Sequence, residues 1–144
     1  MKFSVSIEID KPLDDVIRLF DDPDNLYKWM EGLESFEHLD GVPGQIGARS
    51  RLRFKMGKRE FEMIETITER DLPRSFEGTY DADGVVNVVR NKFEPLGDGR
   101  TLYTSENEFQ FRGFMKLVAL VMPGAFRKQS MKYLEDFKRF AESA

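Results

Sequence analysis

The sequence predicts an α+β fold: seven antiparallel strands, two short helices after the first strand, and a long C-terminal helix laid over the apolar face of the sheet. Three observations carry this. Phe3, Val5, Ile7 and Ile9 alternate with Ser4, Ser6, Glu8 and Asp10, the period of a half-buried strand. Gly57-Lys58 and Asp83-Gly84 interrupt alternating runs where two-residue hairpin turns belong. Phe114 to about Glu142 carries an apolar stripe at helical spacing, interrupted by Pro123-Gly124.

After the first strand, Asp10 is the expected N-cap of a short helix, with Pro12 in its first turn, where a missing N–H costs nothing. Leu13, Val16, Ile17 and Phe20 give that helix one apolar side as far as about Asp21. Asp22-Pro23 stops it. A second short helix, Asp24 to Trp29, follows with Asp22 as its cap. Leu33 to Asp40 reads as a strand, and Gly41, Pro43, Gly44 and Gly47 mark a long turn.

The two hairpins can be read in register. A turn at Gly57-Lys58 sets Phe54 opposite Phe61 and Leu52 opposite Met63 on one face, with Lys55 opposite Glu60 and Arg53 opposite Glu62 on the other. The same register brings Glu65 to the inner face, opposite Ser50; a bulge near Ile64 would turn it outward. Leu72-Pro73 ends this hairpin. A turn at Asp83-Gly84 pairs Glu77 with Arg90 outside, and Phe76 with Asn91, Gly78 with Val89 and Tyr80 with Asn87 inside.

The loop Pro95–Gly99 leads to the last strand, Thr101 to Phe111. Tyr103, Phe109 and Phe111 favour one facing and Leu102 the other; the expectation is Tyr103 inward. In the final helix, Leu117, Leu120, Val121, Met131, Leu134, Phe137 and Ala141 form the stripe. At 144 residues, with no linker, repeat or low-complexity segment, the whole chain 1–144 is expected to be one domain.

Composition narrows the function classes. A net charge of -4 does not favour nucleic acid. With no cysteine, disulfides, thiol chemistry and cysteine metal sites are excluded; with one histidine, His38, a histidine metal cage or a catalytic triad is not expected, and neither is a cofactor. The N-terminus carries no signal-peptide apolar region. The longest apolar run, Leu117–Met122, is far short of the ~20 residues needed to span a bilayer. A cytoplasmic location is the expectation.

Several short motifs occur in an order that resembles the START-like (SRPBCC) superfamily, which includes polyketide cyclase/dehydrase-like, birch-pollen-allergen-like and lipid-transfer proteins. They are Ile9-Asp10-Lys11-Pro12 with Val16, then Asp22-Pro23-Asp24-Asn25 with Trp29; Gly41-Val42-Pro43-Gly44 with Gly47; Ile67-Thr68-Glu69 with Asp71-Leu72-Pro73; and Phe93-Glu94-Pro95-Leu96 with Asp98-Gly99-Arg100-Thr101. A terminal helix carrying Leu134 and Phe137 ahead of Glu142 completes the set. The resemblance implies the helix-grip fold, a curved sheet wrapped around the long helix with a cavity between them for an apolar ligand. It brings no catalytic motif onto these residues.

On that reading the cavity wall is Leu52, Phe54, Phe61, Met63, Ile67, Phe76, Val89 and Phe93 from the sheet, and Leu117, Val121, Met131 and Leu134 from the helix. Glu65, Tyr80, Asn87, Asn91 and Tyr103 are the inward polar candidates for holding a ligand oxygen. The expected function is binding of a small hydrophobic or lipid-like molecule. The alternative is a cyclase, dehydratase or hydrolase acting on an aromatic or polyketide-type substrate, with Glu65 or Tyr80 as the acid. Trp29 is either part of a pocket mouth or a core anchor. The basic stripe Arg49, Arg51, Arg53, Lys55, Lys58 and Arg59 is expected to be a solvated face paired across strands with Glu60 and Glu62 rather than an RNA contact. Arg112–Lys132 holds five cations and no acid around an apolar run, a composition suited to transient contact with an anionic membrane.

Overall fold

The computed structural model describes residues 1–144. Seven strands form a single antiparallel sheet in the order β1-β7-β6-β5-β4-β3-β2. They are β1 (Lys2–Ile9), β2 (Leu33–Asp40), β3 (Arg49–Met56), β4 (Arg59–Asp71), β5 (Ser75–Ala82), β6 (Val85–Pro95) and β7 (Thr101–Phe111). Between β1 and β2 lie α1 (Leu13–Phe20), a 3-10 turn (Pro23–Asn25) and α2 (Leu26–Trp29). The C-terminal helical stretch is two helices, α3 (Phe114–Val121) and α4 (Pro123–Ser143).

Both hairpin registers follow the turn chemistry. Leu52 pairs with Met63, Phe54 with Phe61 and Ser50 with Glu65, so no bulge intervenes near Ile64. Phe76 pairs with Asn91, Gly78 with Val89 and Tyr80 with Asn87. The irregularity falls further along β4, between Ile67 and Glu69, where an unpaired Thr68 bends the strand. Outside, Arg53 meets Glu62 at 3.5 Å, Lys55 meets Glu60 at 3.9 Å and Arg51 bridges Glu37 and Glu62, so the basic stripe is a charge-paired, solvated face.

The cap expected at Asp10 is not made. α1 begins only at Leu13, so Pro12 occupies the N-cap position and accepts the Val16 N–H at 3.1 Å. Asp10 lies too early to reach the first turn; its N–H instead donates to Glu142 Oε2 at 2.8 Å, tying the end of β1 to the end of α4. Asp22 does cap, accepting from the Asp24 N–H at 3.0 Å.

The core sits at one end of the molecule, where α1, β1, β6, β7 and the second half of α4 converge on Val5, Ile9, Val16, Leu19, Phe93, Tyr103, Leu134, Phe137 and Ala141. Phe137 is its centre: its ring meets Phe20 at 5.8 Å, Trp29 at 5.2 Å and Tyr103 at 5.7 Å, all edge-on. Edge-on contact sets the positive rim of one ring against the negative face of the next.

The apolar stripe does not run through the whole C-terminal stretch. Gly113, at φ 57, turns the chain off β7, and Met122, at φ -128 and ψ 57, breaks the helix before Pro123. The break resets the helical phase. Met131, Leu134, Phe137 and Ala141 face the core or its margin, whereas Leu117 is 54% and Val121 70% exposed. These two residues, expected in the cavity wall, lie outside it. Apart from Lys116 the α3 sequence is apolar, so its own pattern names no inward face.

Candidate functional site

The helix does not cover the whole sheet. α4 packs chiefly along β1 and also touches β7, at the side of the sheet away from β3, β4 and β5. The inward side chains record this. Leu52, Phe54, Ile67 and Phe93 are buried, and Leu134 of α4 likewise. Phe61, Met63, Phe76, Val89 and Met131 are only half-buried although register and period aim the strand residues inward. Partly exposed apolar side chains on the inner face of a sheet mark a region that is not packed as a filled core.

Across this face the antiparallel registers align one transverse row, Ser50, Glu65, Tyr80, Asn87 and Phe109, each residue directly opposite the next on β3 through β7. Tyr80 donates its hydroxyl to Glu65 Oε2 at 2.7 Å. Burial pushes the Glu65 carboxyl above its usual 4.5, and the bond from Tyr80 only partly opposes this. Glu65 makes no ion pair, so no cation holds its charge down. Burial first, and the adjacent Glu65 second, hold the Tyr80 phenol well above 10, so Tyr80 stays a donor at neutral pH.

The neighbouring amides are fixed by what they touch. Asn91 donates to the Phe76 carbonyl at 3.3 Å and accepts from the Tyr103 hydroxyl at 2.7 Å, so both of its ends are engaged. Asn107 donates to the Ser105 carbonyl at 3.2 Å and to Ser105 Oγ at 2.9 Å. A carbonyl can only accept, so the Asn107 amide nitrogen must face Ser105 and its oxygen must face Asn87. Asn87 Nδ2 donates to that oxygen at 3.4 Å. What remains is Asn87 Oδ1, a buried acceptor with no partner.

Ser105 and Asn107, buried on β7 beside this row, are residues that the sequence reading did not single out. The signal was present: once Tyr103 faces inward, period 2 carries Ser105, Asn107, Phe109 and Phe111 inward with it. Phe109 and Phe111 pack against Phe126 of α4, at 5.1 Å and 4.9 Å between ring centroids. His38 is exposed and bonds the Gly41 carbonyl at 2.8 Å, away from this row. Trp29 anchors the core through Phe137 and also lines an outer groove beside Lys132, Asp136 and Phe140. No group of three or more His, Asp or Glu side chains is placed to hold a metal.

The sequence matches the model of a family described as "Polyketide cyclase / dehydrase and lipid transport" over residues 1–142. The chain belongs to that family. Solved structures agree with it in fold. A conserved protein from Geobacillus kaustophilus superposes with a TM-score of 0.83 at 18% identity, covering 99% of this chain and 96% of the other. The Zhui aromatase/cyclase of a Streptomyces species superposes at 0.77 with 14% identity, covering 99% and 93%. Norcoclaurine synthase from Thalictrum flavum, in complex with dopamine and hydroxybenzaldehyde, superposes at 0.73 with 16% identity, covering 97% and 85%. No curated protein sequence matches the chain. This family member has the helix-grip architecture and the START-like relationship expected from its motifs.

Proposed function

We propose that the protein binds a small, largely apolar molecule that carries a hydrogen-bond donor, on the concave face of β3 to β6. The observation that carries this reading is Asn87 Oδ1, buried and unpartnered amid half-buried apolar side chains. A buried acceptor without a partner costs roughly 1–3 kcal/mol, which a ligand hydroxyl or N–H recovers. The atom is covered, so the donor reaches it as the loosely packed side chains around it shift. Glu65, the other acceptor in the row, adds a preference against anionic ligands through like-charge repulsion whenever it is ionised. Membership of a family described by cyclase, dehydrase and lipid transport activities supports a ligand-holding interior.

Three matched probes test the reading by calorimetry: 2-naphthol, 2-methoxynaphthalene and 2-naphthoate. The expected order has 2-naphthol tightest, and Asn87→Leu brings it level with the methoxy compound. Absence of binding by all three, with no thermal shift, overturns the ligand reading. Equal binding of all three overturns the donor preference alone. The Tyr80–Glu65 bond of 2.7 Å favours a second reading, an enzyme in which this pair moves a proton on an aromatic or polyketide-type substrate. Turnover of a bound compound that Tyr80→Phe abolishes, with binding only weakened, would establish it.

A further inference from the structure

The most conspicuous feature outside the concave face is α3. Phe114 is 75% exposed, Leu117 54%, Leu120 78%, Val121 70% and Met122 56%, all within one short stretch. Proteins that work free in water seldom leave so many large apolar side chains together at the surface. Around them, Arg112, Lys116, Arg127, Lys128 and Lys132 occur with no acid between 112 and 132, in a chain whose net charge is -4. Lys132 is engaged by Glu31 and Asp136, Arg112 by Asp81, and Arg127 lies over the Phe3 ring. Lys116 and Lys128 make no ion pair and are exposed.

We propose that α3 docks this protein on an anionic lipid surface. An eight-residue helix is too short to cross a bilayer, and no helix of the chain is long and apolar enough to do so. It is suited instead to lie in the interface, apolar side chains among the acyl chains and cations among the headgroups. The charge pattern selects this occupant over a second copy of the chain. Two α3 helices face to face would set one cationic rim against another, whereas an anionic bilayer complements both the rim and the apolar centre.

The attachment of α3 gives the docking a direction. Arg112 N–H bonds the Gly84 carbonyl at 2.8 Å, and Met115 packs on Gly84, so α3 is seated on the β5–β6 turn. That turn closes the end of the sheet lined by half-buried Ala82, Val85 and Phe111, remote from the Phe137 core. Docking therefore sets the loosely packed end of the interior against the lipid.

Vesicle sedimentation tests the proposal, using phosphatidylcholine alone and phosphatidylcholine with added phosphatidylglycerol. The wild type is expected to pellet with the anionic vesicles and to be released by high salt. Lys116→Glu with Lys128→Glu lowers partitioning at least about tenfold, since each lysine near such a surface contributes about fivefold. Leu117→Gln with Leu120→Gln abolishes it. Both double variants keep the wild-type circular dichroism, because all four side chains are exposed. Failure of the wild type to pellet with anionic vesicles overturns the proposal, as does equal pelleting with both vesicle types that the charge variant leaves unchanged. A wild-type dimer in light scattering that the Leu117/Leu120 variant dissolves would assign the patch to a second copy and overturn it as well. Vesicle binding requires no occupied interior, so this result is independent of the ligand reading.

Discussion

Phe137→Ala measures how the two C-terminal helices divide their work. Phe137 is 0% exposed and meets Phe20, Trp29 and Tyr103 edge-on at 5.2 to 5.8 Å. Truncating a buried Phe costs about 3–5 kcal/mol, and a side chain with ring contacts on three sides belongs at the upper end, about 4–5 kcal/mol. Domains of this size are stable by roughly 5–15 kcal/mol, so the variant loses about a quarter or more of its margin. Leu120→Ala, at a position 78% exposed, is expected to change stability by less than about 0.5 kcal/mol. Urea unfolding provides the assay, followed by the fluorescence of Trp29, the sole tryptophan, and by circular dichroism, since Trp29 itself touches Phe137. A loss below about 1.5 kcal/mol for Phe137→Ala would refute the placement of the core, given the range for buried aromatic truncation. An equal loss for Leu120→Ala would refute the exposure of α3.

Two further outcomes follow from single side chains. Because burial raises the Glu65 carboxyl above 4.5, the folded protein holds that proton to higher pH than the unfolded chain does. Its contribution to stability is therefore fully present below pH 4.5 and is lost as pH rises through the folded-state value. Glu65→Gln removes this dependence, so its melting temperature relative to wild type should climb with pH from 4.5 upward; parallel curves would contradict the burial of this carboxyl. Gly84→Ala puts a Cβ 2.8 Å from Met115 Cγ at a φ of +78, and is expected to cost about 1 kcal/mol or more while loosening α3, read as faster proteolysis between 112 and 122.

The hairpins were legible in the sequence because a two-residue turn leaves no freedom of register: Gly57-Lys58 and Asp83-Gly84 suffice to place Glu65, Tyr80 and Asn87 on the inner face. The bulge at Thr68 was not legible, since β4 offers no glycine or proline there and the irregularity arises from how β5 pairs with it. The facing of β7 was divided between Tyr103, Phe109 and Phe111 on one side and Leu102 on the other, and the inward phase that Tyr103 takes carries the polar Ser105 and Asn107 into the interior with it. The position of Leu117 and Val121 was hidden for a different reason. Helical periodicity locates a face only when the other face is polar, and between Phe114 and Val121 only Lys116 is.

The way α4 is fastened has a mechanical consequence. Its second half is clamped by Leu134, Phe137 and Ala141 in the core and by the Glu142–Asp10 bond, while from Pro123 to Gln129 only Phe126 is more than superficially covered. The first half is held more lightly, by Phe126 against Phe109 and Phe111 and by Arg127 over the Phe3 ring. Rupture of that light seam alone would free the start of α4 and leave the Phe137 rings, which hold the fold, untouched.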